Sequence, residues 1–220
     1  MPLNITTLAV LAIAASACLA VAAAWRRDQR QIYVFKPLTT VLIIAATLWC
    51  FTPAMEQYRN IILVGLALSL AGDVFLMLPG NRFIPGLASF LAAQVVYAYA
   101  FTVGVGFAPA QLPWLAPFAC FSLIVVLVLW KGLPNAVLRG AIVVYAAAIA
   151  VMAWRAAVRL HAGTAPLPSG AAALAGACLF LASDAVLAAD RFRRPFRAAE
   201  PIVFATYWAA QSLIALSVRG

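Results

Sequence analysis

The hydrophobic residues of this chain fall in long runs, and the charged residues gather in the short stretches between them. A helix needs about 20 mostly apolar residues to cross the roughly 30 Å hydrocarbon core of a bilayer. Eight runs meet this length, at approximately 3–25, 37–54, 60–79, 84–106, 112–130, 138–158, 169–189 and 200–218. The pattern therefore predicts an all-α fold, an integral membrane bundle of about eight transmembrane helices.

The first two runs carry local signals about where their helices begin. Ala22, Ala23 and Ala24 resemble a signal-peptide cleavage site, but no Lys or Arg precedes the run, so we expect a retained helix. Pro37 suits the first position of the second helix, where a missing N–H costs nothing. We expect that helix to begin at Pro37, just after Lys36.

Composition agrees with a membrane bundle and excludes a soluble domain. Of the 220 residues, 66% are hydrophobic and 10% are charged, whereas soluble domains are nearer half apolar and a quarter charged. The whole chain, 1–220, is expected to form one transmembrane domain. The net charge of +9 does not indicate a nucleic-acid partner, because the basic residues lie in clusters between apolar runs.

The basic residues also predict an orientation. Of the 15 Lys and Arg residues, 11 belong to the first, third, fifth and seventh connections, and only Arg59, Arg155, Arg159 and Arg219 belong to the other side. Cytoplasmic loops carry an excess of positive charge. We therefore expect both termini outside and a site that opens towards the cytoplasm, in the cell membrane and most naturally the inner membrane of a bacterium.

Several chemistries find no support in the sequence. Cys18, Cys50, Cys120 and Cys178 all lie in apolar runs without a C-x-x-C spacing, and we interpret them as small buried hydrophobic residues. The single histidine, His161, is expected in a loop, which excludes a histidine-built metal site. Neither G-x-S-x-G nor a nucleotide-binding glycine motif is present. We expect no metal and no cofactor.

The two ends of the chain resemble each other. Residues 66–83 and 177–192 align so that Asp73 matches Asp184, and Gln94 later matches Gln211. The offset is four helices, an even number, so the predicted halves, 1–110 and 111–220, would form a parallel repeat. Chance similarity between Ala- and Leu-rich helices is the alternative.

Asp73 and Asp184 are the candidate catalytic residues. Both lie inside apolar helices, where an ionisable group is costly and faces the bundle interior. By helix rise, Asp73 is about 13 Å from Arg82 and Asp184 about 10 Å from Arg191. The structural alternative is an ion pair with these arginines that only ties helices together. The other acidic residues, Asp28, Glu56, Asp190 and Glu200, are interpreted as solvated surface.

Further polar side chains are predicted at a similar depth. Gln94, Tyr97 and Phe101 share one helix face, and Tyr207 and Gln211 are four residues apart on another. Such residues often only join helices through hydrogen bonds, but their shared depth favours a polar cavity. The candidate substrate-binding residues are Lys36, Thr40, Gln94, Tyr97, Tyr145, Tyr207 and Gln211.

Five stretches together resemble the YhhN-type lysoplasmalogenase family. They are FKPLTTVLI (35–43), LSLAGDVFLMLP (68–79), GLASFLAAQVVYAYAF (86–101), LFLASDAVLAADRF (179–192) and YWAAQSLIALS (207–217). The resemblance implies an eight-helix membrane protein that hydrolyses the vinyl ether bond of lysoplasmalogens to a fatty aldehyde and a glycerophospho-ethanolamine or -choline. Asp73 and Asp184 match the family's two motif aspartates, and Lys36 matches its K-P-L. Gln94 departs from the pattern, since the family has a histidine there.

The expected chemistry suits these residues. Vinyl ether hydrolysis needs an acid that protonates carbon and a nearby negative charge, and two carboxyl groups supply both, as they do in glycosidases. A lysophospholipid substrate with one long chain also fits a membrane bundle. The alternative from another class is a transporter or lipid-binding protein that uses the aspartate pair for protons or a head group. A purely structural membrane protein is the third possibility.

Overall fold

The computed structural model describes residues 4–49, 55–80, 82–163 and 166–219. Within these ranges the chain forms eight α-helices in the predicted order. They are α1 (Ile5–Arg26), α2 (Gln29–Trp49), α3 (Glu56–Met77), α4 (Phe83–Ala100), α5 (Ala116–Leu129), α6 (Ala136–His161), α7 (Leu167–Phe192) and α8 (Ala199–Leu216). The all-helical membrane bundle predicted from the sequence is confirmed.

Seven of the helical segments in the described ranges are long and apolar enough to cross a membrane. The fifth of these joins α5 to the 3-10 segments Pro109–Leu115 and Trp130–Gly132 that precede and follow it. The helix α8 does not reach the same apolarity, because its 18 residues include Glu200, Thr206 and Gln211. It nevertheless packs along α7, α1 and α2 within the bundle.

The start of α2 differs from the sequence prediction. The helix begins at Gln29 and not at Pro37, because the Asp28 carboxylate accepts hydrogen bonds from the N–H groups of Arg30 and Gln31 and so caps it. Pro37 therefore lies inside α2, where it lacks the N–H that would complete one turn of the helix. As a result Lys36 lies about two turns inside the helix and not in the connection.

Six helices form a closed ring around the polar interior. Going round, α2 packs on α3, α3 on α4, α4 on α6, α6 on α7, α7 on α8, and α8 on α2. The two remaining helices lie outside this ring, with α1 against α2 and α8, and α5 against α6 and α7. The division of the chain into parallel repeat halves stays a prediction, although α2, α3 and α4 contact one another in the same order as α6, α7 and α8.

The end of the bundle away from the aspartates is closed by hydrogen bonds. The turn after α4 contains Gly104 and Gly106, both at positive φ, so α4 ends at Ala100 and does not extend to 106 as predicted. Arg155 donates to Thr102 and Gln111 in this segment. Arg159 donates to the carbonyl of Val103 and lies 4.0 Å from the centre of the Tyr58 ring.

Several sequence predictions at this end of the chain are corrected. Arg159 is 4% exposed inside α6 and is not a residue of a connection, and Arg155, which lies within the predicted run, is equally buried. His161 is the last residue of α6 and not part of a loop, since α6 runs one turn further than predicted. Its ring lies against Trp114, with 3.9 Å between the ring centres.

The cysteines were predicted to be buried, and for three of them this is wrong. Cys18, Cys120 and Cys178 are free and exposed on the outside of the bundle. The apolar runs that hold them face outwards there, because a membrane helix is apolar towards lipid as well as towards the core. Cys50 lies outside the described residues.

Candidate active site

Asp73 is fully enclosed by donors from two neighbouring helices. It lies one turn before the end of α3 and is 1% exposed. The hydroxyl groups of Thr40 on α2 and Tyr207 on α8 each donate to its Oδ2 at 2.9 Å. The Lys36 ammonium lies 3.7 Å from its Oδ1. Asp73 is therefore paired with a cation within the membrane, and that cation is Lys36 and not Arg82.

Asp184 is held by neutral donors on the other side of the ring. It lies two turns before the end of α7. Its Oδ2 accepts a hydrogen bond of 2.6 Å from the Tyr145 hydroxyl on α6 and one of 3.0 Å from the Gln94 amide on α4. Asp184 is partly exposed to the interior cavity. The two carboxyl groups thus differ in their surroundings, since only Asp73 has a lysine beside it.

Both aspartates line one chamber of about 380 Å³. Its wall also includes Lys36, Tyr207, Phe90 and Phe204. At its outer end the wall consists of charged residues of both signs, namely Asp190, Arg191 and Glu200. Asp190 and Glu200 also line the recess that contains Arg27 and Arg197. The chamber therefore opens at the end of the bundle where the basic connections lie.

Phe90 and Tyr207 form the inner wall of the chamber, and Phe180 packs behind them. Phe90, Phe180 and Tyr207 meet edge to face, with ring centres 5.7 to 6.2 Å apart. Behind them the Tyr97 hydroxyl donates to the Gln211 carbonyl oxygen at 2.7 Å. This packing aims the Tyr207 hydroxyl at Asp73.

The close approach of α3 to α4 depends on two glycines. A Cβ atom on Gly72 would lie 2.6 Å from the Phe90 ring, and one on Gly65 would meet the Tyr97 ring. Both glycines lie on the buried face of α3, the face that also carries Asp73. Their lack of a side chain lets the two rings of α4 pack directly against the α3 backbone.

The structure places the predicted substrate-binding residues in two groups around the aspartates and one separate pair. Lys36, Thr40 and Tyr207 contact Asp73, whereas Gln94 and Tyr145 contact Asp184. Tyr97 and Gln211 bond to each other one layer further in. Phe101, on the same predicted face, is buried against Tyr58 towards the closed end.

Two acidic residues of the chamber are not predicted by the sequence pattern. Asp190 and Glu200 have the pattern of solvated surface, but both line the outer part of the chamber. A helical pattern could have identified Glu200, since it precedes Phe204, Tyr207 and Gln211 at spacings of four, three and four residues on one face of α8. No comparable signal marks Asp190, which lies near the end of α7 and accepts a bond from the Phe196 N–H.

The chamber is lined by carboxyl, amine, guanidinium and hydroxyl groups. Among the described residues, no group of three or more His, Cys, Asp and Glu side chains lies close enough to hold a metal ion. Two buried amide atoms, the Gln94 Oε1 and the Gln211 Nε2, have no hydrogen-bonding partner among the described protein atoms.

Several known proteins are similar to this chain over most of its length. The human lysoplasmalogenase TMEM86B is 36% identical over 182 residues, which cover 80% of this chain and 71% of that protein. A bovine lysoplasmalogenase, TMEM86A, is 35% identical over 159 residues, which cover 71% of this chain and 64% of that protein. The uncharacterized membrane protein YhhN of Escherichia coli is 30% identical over 94% of this chain and 97% of its own length. No solved structure matches the chain.

The family match covers α2 from residue 31 and every later helix. The model of the YhhN family matches residues 31–218, which include the two aspartates and every side chain that contacts them. This chain belongs to the YhhN family.

Proposed function

We propose that this protein is a membrane lysoplasmalogenase. It would hydrolyse the vinyl ether bond of a lysoplasmalogen to a fatty aldehyde and a glycerophospho-ethanolamine or -choline. The observation that carries the proposal is the pair of carboxyl groups, Asp73 and Asp184, on opposite sides of one chamber within the membrane bundle. The similarity to proteins named lysoplasmalogenase supports the same reaction.

The reaction requires groups that the chamber contains. Proton transfer from a carboxyl group to the vinyl carbon gives an oxocarbenium ion. A water oxygen then bonds to the ether-bearing carbon and releases a proton, and the resulting hemiacetal breaks its carbon–oxygen bond to give aldehyde and alcohol. One carboxyl group serves as the acid, and the other stabilises the cation or activates the water. Water is the only co-reactant.

The remaining residues are assigned to positioning and binding. Tyr145 and Gln94 orient Asp184, while Thr40, Tyr207 and Lys36 orient Asp73. Buried polar atoms normally have a hydrogen-bonding partner, so the Gln94 Oε1 can accept a hydrogen bond from water or a substrate hydroxyl, and the Gln211 Nε2 can donate one to water or a substrate oxygen. Tyr97 fixes Gln211. These residues, with Lys36, are proposed to bind the substrate.

Charges of both signs at the chamber opening suit a zwitterionic head group. Lys36 and Arg191 can attract a phosphate, and Asp190 and Glu200 an ammonium group. The basic connections at this end support an orientation in which the chamber opens to the cytoplasm. In a bacterium the membrane would be the inner membrane, and the lipid bilayer would supply the substrate.

A chamber with one open end favours an enzyme over a transporter. A transporter must expose its site to each side of the membrane in turn. Here the opposite end of the bundle is closed by the hydrogen bonds of Arg155 and Arg159 and by the Tyr58–Ser217 hydrogen bond. A lipid hydrolase needs access from one side and from the bilayer only.

The substrate class is tested by comparing two lysolipids with the same head group. Purified protein is incubated with a lysoplasmalogen and with an acyl lysophospholipid, and free aldehyde and free fatty acid are measured. We expect aldehyde from the first and almost no fatty acid from the second, because ester cleavage requires a nucleophile and oxyanion donors. Fatty acid release at a comparable rate, or the absence of aldehyde, would contradict the proposal.

A further inference from the structure

Two apolar depressions lie on the sides of the bundle, facing the lipid. One, the α5–α7 cleft, lies between α5, α6, α7 and the start of α4 and is lined by residues such as Phe121, Ser122 and Ala188. The other, the α1–α8 groove, lies between α1, α2 and α8 and is lined by residues such as Ala17 and Trp208. Each could accept a lipid chain by its chemistry alone.

Only the α5–α7 cleft leads to a carboxyl group of the chamber. Phe83, Asp184 and Leu187 line both the cleft and the chamber, and Tyr145 lines the cleft beside Asp184. The α1–α8 groove has a larger volume, about 780 Å³, than the α5–α7 cleft, about 60 Å³. The groove ends, however, at Trp208. That residue is 2% exposed, and its indole donates to Thr40, so it separates the groove from Asp73.

We propose that the alkenyl chain of the substrate lies in the α5–α7 cleft, so that Asp184 protonates the enol ether and Asp73 acts as the carboxylate. This inference rests on the proposed function and assigns the chain site and the two carboxyl roles within it. The narrow cleft holds the few carbons next to the ether, and the rest of the chain lies along α5 in the bilayer. The head group then occupies the charged outer part of the chamber.

The role of each aspartate follows from the position of the carbon that accepts the proton. In an enol ether this is the β carbon, which belongs to the chain side of the double bond. Asp184 lies where the cleft meets the chamber, next to that carbon. The electron pair of the double bond forms the new C–H bond, and the ether oxygen shares the positive charge with the α carbon. Asp73, beside Lys36, faces the charge and the incoming water from the chamber side.

A bulky residue in the cleft provides the first test. Ala188 lies one turn after Asp184 and lines the cleft but not the chamber. The variant Ala188→Phe is compared with Ala17→Phe, which fills the α1–α8 groove by the same substitution. The substrates are a long-chain lysoplasmalogen and its 1-ethenyl analogue, which keeps the head group and the enol ether but has no chain.

The result is read as kcat/KM on the long-chain substrate divided by kcat/KM on the ethenyl analogue. We expect Ala188→Phe to lower this ratio at least about 10-fold, because the phenyl ring takes the space of the first chain carbons, and Ala17→Phe to leave it unchanged. Activity on the ethenyl analogue shows that the variant is folded. An unchanged ratio in Ala188→Phe, or a lowered ratio in Ala17→Phe, would overturn the inference.

A second test uses the unaltered protein. A lysolipid with a saturated ether chain, which cannot be hydrolysed, carries a photoreactive diazirine a few carbons from the ether. Crosslinks in α5 and in the second half of α7 are expected. Crosslinks confined to α1 and α8 would overturn the inference. If the wild-type protein releases no aldehyde from either enol ether, the proposed function itself fails, and the crosslinks still report where the chain lies.

Discussion

At the scale of single residues, each aspartate depends on a tyrosine from another helix. Tyr207 of α8 donates to Asp73 at 2.9 Å, and Tyr145 of α6 donates to Asp184 at 2.6 Å. Buried polar groups are held in place by such hydrogen bonds. Each hydroxyl therefore fixes the orientation of the carboxyl group to which it donates.

Removing either hydroxyl should slow the reaction without unfolding the protein. We expect Tyr145→Phe and Tyr207→Phe each to lower kcat about 10-fold, which corresponds to the loss of one hydrogen bond of about 1.4 kcal/mol. Tyr99→Phe is the control, because Tyr99 is 59% exposed on α4. Aldehyde release is measured for all three variants. Equal rates in the three variants would show that the hydroxyl groups do not position the carboxyl groups.

The candidate site was predictable from sequence where a rare residue lies in an apolar run. Asp73 and Asp184 stand out in this way, and the motif resemblance added Lys36. The pairing of Lys36 with Asp73 was not predictable, because the Asp28 cap moves the start of α2 by two turns. Asp190 and Glu200 were not predicted because they lie near helix ends. A charged side chain there has a small free-energy cost, so its presence does not indicate a functional site.

At the scale of helices, the contact between α3 and α4 positions the aromatic wall of the chamber. Phe90 packs over Gly72, and its ring in turn meets Tyr207 edge to face. Sequence patterns predicted both helices but not this contact, because a glycine in an apolar run gives no indication of which ring it admits. The boundaries predicted for α2, α4 and α6 were wrong for local reasons, namely a cap, two glycines and the buried arginines.

A methyl group at Gly72 should disturb this contact. In Gly72→Ala the new Cβ would lie 2.6 Å from the Phe90 ring, so we expect a loss of about 1–3 kcal/mol of stability from overpacking. Gly140→Ala on α6 is the matched control, because no atom lies within 4 Å of its added Cβ, and alanine favours a helix by about 1 kcal/mol over glycine. Thermal unfolding in detergent measures both. A Gly72→Ala protein as stable as Gly140→Ala would contradict the packing argument.

At the scale of the whole molecule, the ring of six helices has one open and one closed end. The chamber opens among Arg27, Asp190, Arg197 and Glu200. The other end of the ring is closed by the hydrogen bonds of Arg155 and Arg159. Composition and periodicity were sufficient to predict the helix number and the membrane location. They could not predict the order of packing around the ring, because each helix is apolar on most of its surface.

The orientation of this ring is a separate prediction. Reporter fusions after Arg82 and Pro195 should report the cytoplasm, and fusions after Phe107 and Gly163 the opposite side, because most basic residues lie at the chamber end. A reporter that is active only in the cytoplasm provides the measurement. A cytoplasmic signal from Phe107 together with none from Pro195 would reverse the orientation and place the chamber opening on the outer side.

The most direct test of the two-carboxyl account is the rate of aldehyde release by Asp73→Asn and Asp184→Asn. Each change keeps the size of the side chain and removes its titratable proton, so we expect each to lower kcat about 100-fold or more while the protein is still produced. The double variant should be little worse than either single one, because the groups act as a unit. Asp190→Asn, at the outer end of the same chamber, should remain within about 10-fold of wild type. Near-normal aldehyde release by well-folded Asp73→Asn or Asp184→Asn protein would contradict the account.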